Sequence, residues 1–75
     1  MKTKIMLHSA EDVARFVSIA RRCDFEIDVQ YQHFFLDGKS LVGMMSVDLS
    51  NCLIIYHNQT NPVFEQMLKD YEIKD

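Results

Sequence analysis

The chain has 75 residues, of which 48% are hydrophobic and 25% are charged, with two glycines and one proline. This length suits a single domain spanning residues 1–75, and the composition excludes a disordered protein because enough apolar side chains are present to form a core. The net charge of −3 excludes a general attraction to nucleic acid or anionic lipid, and no apolar run is long enough to span a membrane.

The first part of the chain predicts a strand followed by a helix. Residues 2–7 alternate between two faces, as in a strand. Ser9 follows, with Asp12 three residues later, and this pair is typical of a helix N-cap. The helix carries an apolar stripe formed by Val13, Phe16, Val17 and Ala20. We expect this stripe to pack against the rest of the domain.

The middle of the chain predicts a β-hairpin and a short helix. Residues 24–31 alternate strictly between apolar and polar side chains, and residues 33–36 form a second strand after a tight connection. Asp37-Gly38 ends this run, and Ser40 can cap a helix over residues 41–48. Gly43 inside that helix costs up to about 1 kcal/mol relative to alanine, and a small residue at this position indicates close packing.

The last part predicts a strand and a helix. Residues 51–56 are apolar on both faces, which favours a central position in the sheet. Asn61 and Pro62 are typical of a helix start, and the charged tail, residues 72–75, is expected to fray. The element order is therefore β-α-β-β-α-β-α. Four strands and three amphipathic helices favour a two-layer α+β fold, with the helices on one face of the sheet.

The cysteines and histidines do not have the spacing of a metal site or a dithiol motif. Cys23 and Cys52 are far apart, so we expect two free, partly buried thiols. His8, His33 and His57 lack the i, i+4 spacing of paired ligands on a helix. We predict no metal and no cofactor. The N-terminus lacks the pattern of a signal peptide, and a cytoplasmic location is expected.

Two segments resemble the HPr family, the histidine-containing phosphocarriers of the bacterial sugar phosphotransferase system. Residues 39–47, KSLVGMMSV, resemble the family segment K-S-I-M-G-V-M-S-L, and residues 14–20, ARFVSIA, resemble its first-helix pattern A-x-F-V-x-x-A. The resemblance spans nearly the whole chain. It implies an open-faced β-sandwich, in which three helices cover one face of a four-stranded antiparallel sheet.

The chain departs from the family at the phosphorylated histidine. With the first helix aligned, the histidine position falls on Ser9, the arginine position on Glu11 and the proline position on Asp12, while His8 lies one residue early. A phosphohistidine needs hydrogen-bond donors and positive charge around the phosphate. The two acids oppose a phosphate at His8, which is otherwise interpreted as a surface residue at the end of the strand. Ser9 is interpreted as the helix cap.

The resemblance also implies a regulatory and docking site in the second segment. Ser40 matches a serine that a dedicated kinase phosphorylates in the family, and its alternative role is that of a helix cap. The resemblance implies that the residues that dock partner proteins are Lys39, Leu41, Met44 and Met45. The alternative is that these apolar residues face the core. We place Leu41 in the core and expect one methionine to be exposed.

Three hypotheses for function follow. The first is a non-catalytic, HPr-like regulatory or interaction domain that binds a protein, either a phosphotransferase-system component or a transcriptional regulator, with Ser40 as its phosphorylation site. The second is an active phosphocarrier that relays a phosphoryl group through His8. The third is a structural or oligomeric domain with neither activity, in which an aromatic residue of the open sheet face, Phe34 or Phe35, contacts another copy. We prefer the first and expect no enzymatic activity.

Overall fold

The computed structural model describes residues 1–73 and contains a four-stranded antiparallel sheet with three helices. The elements follow the predicted order: β1 Lys2–Ile5, α1 Ala10–Arg21, β2 Asp28–Tyr31, β3 Phe34–Asp37, α2 Leu41–Met45, β4 Leu53–Tyr56 and α3 Pro62–Tyr71. The predicted α+β fold class is therefore confirmed.

The strands lie in the order β1-β4-β2-β3, and every neighbouring pair is antiparallel. β4 is central, as its apolar residues on both faces predicted. Ile55 of β4 pairs with Thr3 on one side and with Val29 on the other. Because side chains alternate along a strand, this register directs Ile55 and Val29 toward the same face, where both are completely buried.

The core lies between this face of the sheet and the helices. The apolar stripe predicted for the first helix is buried in full, and α3 buries Phe64, Met67 and Leu68. Phe64 contacts Phe16 of α1, with ring centroids 6.5 Å apart, and Phe25 at 5.7 Å. These aromatic contacts join the two long helices to the segment that leads into β2.

Four predicted elements are shorter than expected. β1 ends at Ile5 instead of residue 7, and β4 begins at Leu53 instead of residue 51. β2 begins at Asp28 instead of residue 24. Asp28 pairs with the last residue of β3, Asp37, and with the last residue of β4, Tyr56, so no strand residues remain to pair with residues 24–27. Phe25 and Ile27 remain buried without strand pairing. α2 ends at Met45 instead of residue 48, because Ser46 donates its N–H back to Gly43 at 3.2 Å, which closes a tighter final turn.

The described part of the tail does not fray. Glu72 forms a β-bridge with Ile5, and the N–H of Ile73 donates to the carbonyl of Lys4 at 3.0 Å. These residues satisfy backbone groups on the outer edge of β1. The prediction of a frayed tail is wrong for Glu72 and Ile73, whereas Lys74 and Asp75 lie outside the described residues.

Gly38 is placed where a side chain does not fit. A Cβ atom at Gly38 would lie 2.7 Å from Cγ2 and 3.0 Å from the carbonyl oxygen of Ile27. The N–H of Gly38 donates to that same carbonyl at 2.8 Å, so the two backbones cannot separate without losing a hydrogen bond. At Gly43, in contrast, the nearest atom to a Cβ is Oγ of Ser40, at 3.3 Å. The close packing expected at Gly43 is therefore present, and Gly38 is packed more tightly still.

We therefore predict that Gly38→Ala lowers the free energy of unfolding by about 1–3 kcal/mol, because the added methyl group meets Ile27. Gly43→Ala is the matched control. It improves helix propensity by up to about 1 kcal/mol, but the Ser40 hydroxyl that caps the helix must shift by a few tenths of an ångström, so its effect on stability is expected to be smaller than that of Gly38→Ala. Urea unfolding monitored by circular dichroism measures both changes. Equal stability of Gly38→Ala and the parent protein would contradict the proposed close contact.

Candidate functional site

Ser40 begins α2 as its N-cap. Its Oγ accepts a hydrogen bond from the N–H of Gly43 at 3.2 Å, and its own N–H donates to the carbonyl of Asp37 at 3.0 Å. The residue is half-buried. The cap role that the sequence left open beside the regulatory one is therefore present in the fold, and the hydroxyl is engaged in it.

Lys39 is engaged with the end of α1. Its Nζ donates to the carbonyl of Cys23 at 2.8 Å, and its backbone N–H donates to Oδ1 of Asp37 at 2.9 Å. A cation at the C-terminal end of a helix is stabilised by the helix dipole. Lys39 thus joins the loop before α2 to the end of α1, and its half-buried side chain has a structural role.

The apolar residues of α2 divide between the core and the solvent. Met44 is completely buried, whereas Leu41 is 41%, Val42 85% and Met45 47% exposed. A helix of five residues directs only one of these side chains inward. The prediction that Met44 is an exposed docking residue is therefore wrong, and so is the placement of Leu41 in the core. Val42 is the exposed residue that sequence reasoning did not single out.

We call Leu41, Val42 and Met45 the α2 surface. Beside it lies a shallow groove on α1, lined by Ala14, Val17, Ser18, Arg21, Arg22 and Leu41. The two arginines are exposed. The combination offers apolar contact next to positive charge, an arrangement suited to a protein partner with apolar side chains and an acidic rim.

His8 is exposed at the end of the segment that joins β1 to α1. Its backbone N–H donates to Oδ2 of Asp12 at 2.9 Å, and the N–H of Asp12 donates to Oγ of Ser9 at 3.1 Å. The predicted N-cap of α1 is thus correct. Negative charge on Asp12 and on the neighbouring Glu11 lies within one helical turn of His8, and Coulomb repulsion opposes a phosphate there.

The arginine nearest to this helix start is held by α3. Arg15 donates to the hydroxyl of Tyr71 at 3.2 Å and to Oδ2 of Asp70 at 2.9 Å. The Tyr71 hydroxyl in turn donates to Oδ1 of Asp12 at 3.3 Å. Hydrogen bonds from Arg15 and then from Gln66 lower the pKa of Asp70, and the bonds to Tyr71 and Asp70 raise the pKa of Arg15. Arg15 therefore links α1 to α3.

The other two histidines, His33 and His57, belong neither to the α2 surface nor to the surroundings of His8. His57 is buried and packs edge-on against Phe64, with centroids 5.1 Å apart. Its Nδ1 lies 2.7 Å from the carbonyl oxygen of Gln59, and because a carbonyl oxygen only accepts, Nδ1 is the donor in this hydrogen bond. His33 is exposed in the hairpin turn and stacks on Phe34 at 4.5 Å.

Within residues 1–73, no group of three or more histidine, cysteine, aspartate or glutamate side chains is placed to hold a metal ion. In the same range, no helix is both long and apolar enough to cross a membrane. Cys23 is buried and Cys52 half-buried, and both are free thiols. The candidate sites are therefore the α2 surface with Ser40 and the surroundings of His8.

Comparison with solved structures identifies a similar fold. The chain is similar to the crystal structure of HPr-C-His from Thermoanaerobacter tengcongensis, with a TM-score of 0.72 and 23% sequence identity, over 93% of this chain and 88% of that chain. The likeness confirms the HPr-like fold, and at this identity it concerns the fold alone. No protein-family model matches the chain, and neither does any curated protein.

The lowered pKa of Asp70 predicts a pH dependence for the link between α1 and α3. A carboxyl group whose pKa is lower in the folded state stabilises the fold above its unfolded pKa of about 4, and this contribution disappears as the pH falls through the folded value. Asp70→Asn should therefore reduce stability relative to the parent protein at about pH 7, and the difference should vanish at about pH 2.

Urea unfolding at a series of pH values measures this difference. Glu65→Gln is the control, because it removes a carboxylate of the same helix that lies 3.9 Å from Lys69 in an exposed pair. Such pairs contribute little to stability, so its effect is expected to be smaller. A difference between Asp70→Asn and the parent that does not change with pH would argue against the proposed role of the Arg15 contact.

Proposed function

We propose that this protein is a non-catalytic, HPr-like interaction domain that binds a partner protein through the α2 surface. The observation that carries the proposal is the exposure of Leu41, Val42 and Met45 on one helix of five residues. Three neighbouring apolar side chains in contact with water are stabilised when a partner covers them. The partner class is a component of the phosphotransferase system or a transcriptional regulator.

The residues that line the α1 groove favour a partner with apolar side chains and an acidic rim. Arg21 and Arg22 are exposed, and Arg21 lies in the last turn of α1. An acidic rim on the partner would meet these two arginines, while its apolar residues would cover Val42 and its neighbours. Methionine adapts to partners of different shape because its side chain is unbranched and flexible, and Met45 supplies this property.

Phosphotransfer through His8 is less well supported. The family relies on an arginine and on free helix N–H groups near the phosphate. In this chain the carboxylate of Asp12 binds the N–H of His8, and Arg15 is held by Asp70 and Tyr71. A phosphoryl group on His8 would lie near two acids without a free arginine on this part of α1. We therefore propose that this protein does not carry phosphoryl groups on His8.

Ser40 provides a means of regulation in this proposal. A phosphate on its Oγ would add about −2 charges at the start of α2, next to Leu41 and Val42. The dipole of α2 favours that charge, and Gly43 supplies an N–H within 3.2 Å of the oxygen that would carry it. Phosphorylation would thereby change the affinity of the α2 surface for an acidic partner and leave the core unchanged.

Binding through the α2 surface predicts the effect of a charge placed on it. Val42→Glu should weaken binding to the general phosphotransferase enzyme at least about tenfold, because a carboxylate replaces an apolar contact at the centre of the surface. Val63→Glu is the matched control, since Val63 is also exposed but lies in the first turn of α3, near Ile19 and Pro62. Isothermal titration calorimetry measures both affinities. Equal weakening by the two substitutions would contradict the assignment of this surface.

Phosphate labelling separates the regulatory role from the carrier role. Incubation with the general phosphotransferase enzyme and labelled phosphoenolpyruvate should leave the protein unlabelled. Incubation with an HPr kinase and labelled ATP should label Ser40, and the label should be lost in Ser40→Ala and retained in Ser46→Ala. Acid-labile label that disappears in His8→Ala would replace our proposal with the carrier hypothesis. Kinase label that survives Ser40→Ala would exclude Ser40 as the regulated residue.

A further inference from the structure

The face of the sheet opposite the helices, which we call the open face, carries side chains in two rows that cross all four strands. The first row is set by the pairing of Asp28 with Tyr56 and with Asp37, and of Lys2 with Tyr56. From β1 to β3 this row reads Lys2, Tyr56, Asp28 and Asp37. Positive charge therefore lies at the β1 end, and negative charge lies at the β3 end.

The second row also has a lysine at the β1 end, but at the β3 end it has an aromatic ring instead of acids. Gln30 pairs with Ile54 and with Phe35, and Lys4 pairs with Ile54. The row thus reads Lys4, Ile54, Gln30 and Phe35. Phe35 is 66% exposed, which is unusual for a phenylalanine.

The side chains at the centre of the open face are held in position by contacts with one another. The ring centroids of Phe35 and Tyr56 lie 6.1 Å apart, and the Tyr56 hydroxyl donates to Oε1 of Gln30 at 2.7 Å. The polar groups that connect the two rows are thereby satisfied within one chain. A partner can cover Phe35, Tyr56 and Ile54 without leaving these groups unpaired, which lowers the cost of association.

We propose that the open face binds a second copy of this chain, as a two-fold symmetric dimer whose axis runs parallel to the strands between β4 and β2. This axis places β1 of one copy over β3 of the other and keeps the rows in register. Lys2 then lies opposite Asp37 of the second copy, and Lys4 lies opposite Phe35 of the second copy. Each contact occurs twice because the interface is isologous.

The charge distribution favours this two-fold axis over one that is perpendicular to the strands. Packed sheets lie roughly 10 Å apart, a distance that a long lysine opposite a short aspartate bridges. A lysine ammonium over a phenylalanine ring adds a cation–π contact. A two-fold axis perpendicular to the strands would instead place β1 over β1, with Lys2 against Lys4 of the second copy. Like charges would then oppose each other without compensating ion pairs.

The size of the open face predicts a weak, salt-sensitive dimer. Stable interfaces use about 20–30 residues from each partner, and two rows of four side chains are far fewer. A Kd on the order of 100 µM is therefore expected at low salt. Added salt weakens the exposed ion pairs and raises the Kd. The inference does not depend on the proposed function, because the α2 surface belongs to the helical layer and stays accessible in the dimer.

Sedimentation equilibrium from about 10 µM to about 1 mM protein, at about 20 mM and about 500 mM salt, tests the dimer. At low salt, the weight-average mass should rise with concentration from the monomer value of 8.8 kDa toward twice that value. Lys2→Asp and Phe35→Ser should each weaken association at least about tenfold. Val42→Glu on α2 is the control and should leave association unchanged.

The double variant Lys2→Asp/Asp37→Lys should restore association, because it exchanges the two charges and keeps the pair. Asp37 also accepts a hydrogen bond from Lys39, so circular dichroism is used to verify the fold of this variant. Amide chemical shifts of the parent protein provide a second measurement, and their changes on dilution should lie in β1 and β3. A protein that stays monomeric at about 1 mM in low salt, or dilution shifts confined to α2, would overturn the proposal.

Discussion

The structure depends on the antiparallel pairing of β4 with both β1 and β2. Ile55, at the middle of β4, pairs with Thr3 near the start of the chain and with Val29 of the hairpin. This pairing brings distant segments into one sheet and fixes which side of each strand faces the helices. A shift of one residue would turn Ile55 and Leu53 toward solvent and lose the burial of the core. The composition of the open face follows from the same register.

The local signals in the sequence predict the elements well. Ser9, Ser40 and Asn61 each cap the helix expected to follow, and each side-chain oxygen accepts an N–H three residues later. Capping depends on a few neighbouring residues, and for this reason it can be read directly from the chain. Strand ends were less predictable, since the start of β2 depends on where β3 and β4 stop.

The candidate site was only partly predictable because it depends on contacts between distant residues. The sequence identifies Ser40 and the apolar character of α2, but it does not determine which of Leu41, Val42 and Met44 points inward. That choice depends on how a five-residue helix rests on the core. Likewise, the binding of Arg15 to Asp70, 55 positions away, is a tertiary contact that no local pattern indicates. A fold can thus be recognised from local patterns, whereas the contacts around a candidate site have to be read from the structure.

The pairing of Glu72 and Ile73 with β1 has a consequence for solubility. A bare edge strand presents N–H and C=O groups that can template the addition of strands from other molecules and so lead to aggregation. Ile73 binds Lys4, and the N–H of Met6 donates to the carbonyl of Tyr71, so the end of α3 and the residues after it cover part of this edge. Cleavage before Glu72 would remove the bridge to Ile5 and the hydrogen bond to Lys4, and would leave the outer edge of β1 open to pairing with strands of other molecules.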